Sequence, residues 1–65
     1  MKREALLRYL REHGCEIVRE GGSHTILLNP VIDATTAVPR HREIKGTVVA
    51  TICNQLAVPR PRSVN

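Results

Sequence analysis

Tyr9 is the only ring among the Phe, Tyr and Trp residues of this chain, and this limits the core it can build. Aromatic side chains carry the largest buried areas. Without them the core must be aliphatic, made of Leu, Ile and Val. In a chain of 65 residues such a core supplies about 3–5 kcal/mol, and there is room for a single domain. The hydrophobic share of 42% is ordinary for a globular protein, so wholesale disorder is not expected. Size alone therefore makes support from a partner, or from self-association as a homo-oligomer, an expected feature.

No strictly apolar run exceeds three residues, as in Ile26-Leu27-Leu28 and Val48-Val49-Ala50. A membrane-spanning helix needs roughly 20. Arg8 interrupts the apolar stretch after Ala5-Leu6-Leu7, so no export signal is expected. Cys15 and Cys53 are accordingly expected as free thiols in a reducing cytoplasm. Ten Lys and Arg against six Asp and Glu leave a net charge of +4. That balance fits an anionic partner, nucleic acid first. It equally fits the surface of a small soluble domain.

Leu6, Leu7 and Leu10 fall on one helical stripe, which predicts a helix over residues 2–13 stopped by Gly14. Residues 15–20 alternate as a short strand, with Cys15 and Ile17 on one face and Glu16 and Val18 on the other. Gly21-Gly22 is a turn, and a second strand runs over 24–29 until Asn29-Pro30 breaks it. It places His24, Ile26 and Leu28 on one face and Thr25 and Leu27 on the other, so both faces carry apolar groups. Alternation leaves open which face is buried. Thr35 to Val38 reads as a third, β-branched strand ended by Pro39. A basic loop, Arg40 to Lys45, then leads to a helix opening at Gly46-Thr47. There Val48, Ile52 and Leu56 keep helical spacing although the β-branched run Val48, Val49, Thr51, Ile52 favours strand. Leu6, Leu7, Leu10, Val48, Ile52 and Leu56 are the expected core. The order is α-β-β-β-α, an α+β fold with a three-stranded antiparallel sheet and two helices on one face. Residues 1–58 form the expected domain and 59–65 a flexible basic tail.

The candidate chemistry centres on Gly21-Gly22-Ser23-His24. Glycines let backbone N–H groups approach an anion. An imidazole, with its unperturbed pKa of about 6.5, suits proton transfer at neutral pH. RNA brings its own nucleophile, the 2′-hydroxyl, so a ribonuclease needs a base and cations and no metal or cofactor. His24 is the candidate base, and Gly22, Ser23, Arg40, His41, Arg42 and Lys45 the candidate RNA contacts. The same residues also read as a plain hairpin, a structural histidine and a solvated basic loop. His41 is a candidate second proton donor or an ordinary loop histidine. No Cys or His spacing matches a zinc site. The lack of rings argues against base stacking, so RNA contact is expected to be phosphate-driven and salt-sensitive.

In order along the chain stand Leu6-Leu7 with Gly14, Arg19-Glu20-Gly21-Gly22-Ser23-His24, and Asn29-Pro30. Val38-Pro39-Arg40-His41 follows, then Glu43-Ile44-Lys45-Gly46-Thr47, Ile52 and Gln55-Leu56. This series resembles the HicA toxin family of toxin–antitoxin modules, small messenger-RNA interferases, over about residues 4–58. The resemblance implies a fold like the double-stranded-RNA-binding domain, a catalytic histidine at His24, and a HicB-like antitoxin as partner. Two positions depart from the family pattern. Aromatics are common where Cys15 and Leu27 stand, and both departures bear on the core. The expected function is a metal-independent endoribonuclease toxin acting on messenger RNA. The alternatives are a non-catalytic RNA-binding module of the same fold, or a degenerate toxin acting only in its antitoxin complex.

Overall fold

A computed structural model describes residues 1–62. Helix α1 (Arg3–Glu12) is followed by strands β1 (Glu16–Glu20), β2 (His24–Asn29) and β3 (Ala34–Pro39) and by helix α2 (Gly46–Gln55). The sheet is antiparallel in the order β1-β2-β3. The α+β, α-β-β-β-α expectation holds. Of the expected flexible tail, residues 63–65 lie outside the described residues.

Both helices end in the same device. At α1, the Cys15 N–H reaches the Leu10 carbonyl at 3.0 Å and the Gly14 N–H reaches that of Arg11 at 3.1 Å. Gly14 sits at φ 89°, where an ordinary side chain is disfavoured. At α2, Val58 bonds back to Cys53 at 2.9 Å and Ala57 to Asn54 at 3.2 Å. Here an alanine takes the left-handed position, at φ 56°. From the sequence, Pro59 is the expected stop of this helix, but the chain has already turned at Ala57. In each motif the residue after the turn, Cys15 or Val58, drops into the core beside the helix it closes.

The core joins Leu6 and Leu10 of α1 to Leu27 and Val38 of the sheet and to Val49, Ile52, Cys53 and Leu56 at α2. Both helices therefore cover one sheet face. Leu7 and Val48 pack at its margin, half-buried, so the buried stripe of α2 is centred one residue later than its spacing predicts. Cys15 and Leu27, the two departures from the family pattern, are both core residues.

The covered face of β2 reads Thr25, Leu27, Asn29, and its open face His24, Ile26, Leu28. The two buried polar residues of β2 survive because each is bonded. The Asn29 side-chain amide donates to the Leu56 carbonyl at 2.7 Å, while its oxygen accepts from the Val31 N–H at 3.1 Å. The Thr25 hydroxyl donates to Glu20 Oε1 at 2.8 Å and accepts from Arg3 Nη2. Among the described residues no buried side-chain polar atom lacks a partner.

Strand β1 is irregular. Ile17 stands opposite Leu27, but Arg19 stands opposite Ile26, so Val18 is an extra residue in a β-bulge. From Arg19 onward the faces are exchanged. Glu20 turns to the Thr25 side, and Arg19 joins the open face.

Candidate active site

His24 is exposed at the head of the central strand, paired with Pro39 across β3. The turn before it is held from two sides. The Gly21 N–H donates to the His24 carbonyl at 2.8 Å. The Arg40 guanidinium donates to the Gly21 carbonyl at 2.9 Å and to Glu20 Oε1 at 2.7 Å, and the Arg40 N–H reaches the Ser23 carbonyl at 3.3 Å. Glu20 is in turn bonded to Thr25, whose hydroxyl receives Arg3. A chain of polar contacts, Arg3–Thr25–Glu20–Arg40, thus links the covered side of the sheet to the turn that carries the imidazole.

The two turn glycines have different reasons to be glycine. A Cβ at Gly21 would stand 3.1 Å from the His24 carbonyl oxygen, too close without a shift. A Cβ at Gly22 would meet nothing within 4 Å, and its φ is not in the left-handed region. The fold therefore needs no glycine at Gly22, where the bare backbone faces open space.

A depression of about 200 Å³ is lined by Arg19, Gly21, Ser23, His24 and Ile26. Of the six residues that the sequence marks as candidate RNA contacts, Ser23 lies in it. Gly22 is exposed beside it in the turn. Arg40 is exposed but already paired with Glu20. Arg42 lines a separate depression with Lys2, Arg3 and Glu4, held there because the Arg3 N–H donates to the Arg42 carbonyl at 2.9 Å. His41 and Lys45 are exposed, Lys45 at the start of α2. Arg19 was not among the sequence candidates. Simple alternation assigns it to the face of Ile17, and only the bulge brings it to His24.

The two cysteines are free and buried. Burial pushes the Cys15 thiol up. Burial first, and then the nearby Cys15, push Cys53 up against a lesser lowering by Arg60. Both are held protonated, a poor state for a nucleophile. Among the described residues no three His, Cys, Asp or Glu side chains cluster as a metal site, and no helix is long and apolar enough to cross a membrane.

The chain matches the family model for the HicA toxin of bacterial toxin–antitoxin systems over residues 3–58. No curated protein and no solved structure matches it.

Proposed function

The chain belongs to the HicA toxin family, whose members are the toxins of bacterial toxin–antitoxin pairs, and we propose that it is a metal-independent endoribonuclease that cuts messenger RNA with His24 as the base. The observation that carries this reading is the exposed imidazole at the head of β2, on a turn fixed by Arg40 and beside a second cation, Arg19. His24 removes the proton of an RNA 2′-hydroxyl. The 2′-oxygen then bonds to the adjacent phosphorus, and the bond from phosphorus to the 5′-oxygen breaks, that oxygen taking a proton from water as it leaves. Negative charge grows on the phosphoryl oxygens, where cations and the open backbone of Gly22 lower the barrier.

The chemistry predicts the product ends. RNA treated with the protein in excess chelator is expected to yield 2′,3′-cyclic phosphates and 5′-hydroxyls, read by end-labelling and mass spectrometry. Products with 5′-phosphates, or cleavage that stops in chelator, contradict the reading.

The basic residues serve the substrate unequally. Glu20 already neutralises Arg40, while Arg42 has no ion pair among the described residues. Arg42→Ala is expected to lower the slope of log K against log salt by about 0.7, the value for one phosphate of single-stranded RNA. Arg40→Ala is expected to change it less. The measurement is equilibrium RNA binding in a His24→Ala background, which keeps the RNA intact. Equal slope changes for both variants would show that the Glu20 pair opens when RNA binds.

As a toxin the chain is paired with an antitoxin, which on this reading is HicB-like and covers the open sheet face. Ile26 and Leu28 are half-buried there beside His24, with Val18 exposed on the same face. The patch is apolar at its centre and basic at its edge, the arrangement of an interface core with a charged rim.

A further inference from the structure

We propose that Arg19 is the cation that contacts the scissile phosphate beside His24, and that the bulge at Val18 exists to place it there. This rests on the reading of His24 as the base. In an unbroken strand, Arg19 would follow Ile17 onto the helix-covered face, where an unpaired guanidinium is costly. The extra residue reverses the phase. Arg19 comes opposite Ile26, which shares the open face with His24 two positions along β2. Diagonal neighbours of this kind lie within reach of long side chains. The shared depression gives the same placement, with Arg19 and His24 lining it together.

The other nearby arginines are already engaged or face elsewhere. Arg3 bonds the Pro39 carbonyl at 3.2 Å and Thr25. Arg40 is bonded to Glu20 and Gly21. Arg42 lines a different depression. Arg19 is exposed and makes no ion pair among the described residues. Its planar fork suits two phosphoryl oxygens at once. The bulge therefore divides the labour of neighbouring residues: Glu20 goes to the clamp with Arg40, and Arg19 goes to the substrate.

The test compares Arg19→Ala, Arg19→Lys and His24→Ala in two assays. In single-turnover RNA cleavage, Arg19→Ala is expected to lose about 10²–10³-fold, the cost of removing one donor to a developing oxyanion. Arg19→Lys, with the charge but not the fork, should fall between it and the wild type. In the His24→Ala background, Arg19→Ala should lower the salt slope of RNA binding by about 0.7. Its melting temperature should match that of the unsubstituted protein, since the Arg19 side chain makes no ion pair among the described residues. Wild-type cleavage by Arg19→Ala overturns the proposal, and so does a lowered slope with cleavage unchanged, which would put Arg19 on another phosphate. A melting temperature lowered in step with activity also overturns it, because Arg19 would then be structural. If His24→Ala cleaves as well as wild type, the reading of His24 fails and takes the proposal with it. Cleavage lost with His24→Ala but kept by Arg19→Ala removes this proposal alone.

Discussion

Leu28→Asp is expected to weaken antitoxin binding by at least roughly 30-fold while the free toxin keeps a near-normal melting temperature, and Leu27→Asp, one residue away, is expected to unfold it. The two side chains leave the central strand in opposite directions. Leu27 has 0% exposure and sits among Leu6, Leu10, Val38 and α2. A carboxylate there has no partner, and an unpaired buried charge costs more than the about 3–5 kcal/mol that a core of this size supplies. Leu28 is on the open face between Glu16 and Thr35. An aspartate there remains hydrated and adds only like-charge repulsion from Glu16, about 0.2–1 kcal/mol. At an interface the same change desolvates a charge, and central residues commonly cost at least about 2 kcal/mol, or roughly 30-fold in affinity. Ile26→Asp should also weaken the complex, but it stands opposite Arg19 and would draw that cation away from substrate as well. Calorimetric titration with the cognate antitoxin, beside thermal melts, checks all three. Normal binding by Leu28→Asp would place the antitoxin elsewhere. Unfolding of Leu28→Asp would mean that the open face is part of the fold's own core.

The order of elements was legible because its signals are local. Gly14 ends α1 where its φ of 89° favours a glycine, and Asn29-Pro30 ends β2 as expected. Helical spacing prevailed over the β-branched residues of α2 because Val49, Ile52, Cys53 and Leu56 gain burial only as a helix. The orientation of β2 was not legible. Its buried face carries Thr25 and Asn29, and its open face carries Ile26 and Leu28. Hydropathy alone favours the reverse. What reverses it is a set of hydrogen-bond partners that alternation does not show: Glu20 across the turn and the distant Arg3 for Thr25, and the distant Leu56 carbonyl for Asn29.

The same limit applies to the candidate site. Gly21 and His24 stand out in the sequence because turn and imidazole are adjacent. The clamp does not, since Arg40 meets Glu20 from 20 positions away. Arg19 is hidden by a bulge that no glycine marks, at a Val-Arg pair that reads as regular strand. Counting charges in the loop 40–45 therefore misses both that Arg40 is paired with Glu20 and that Arg19 lines the depression with His24.

The central claim is that His24 moves the proton in an RNA-cleaving reaction. A positioned general base contributes about 10²–10⁴-fold. His24 is exposed, its ring makes no hydrogen bond among the described residues, and its backbone bonds do not depend on its side chain. His24→Ala should thus leave the turn, the sheet and RNA affinity in place while removing the chemistry. The most direct measurement is single-turnover cleavage of one labelled RNA by wild type and His24→Ala, in chelator, with RNA binding and melting temperature measured on the same preparations. The account predicts cleavage by wild type, a loss of about 10²–10⁴-fold in the variant, and unchanged binding and melting. Equal cleavage by the two proteins would contradict it and move the base elsewhere, and no cleavage by a pure, folded wild type that binds RNA would contradict it and leave a binding module on the same fold.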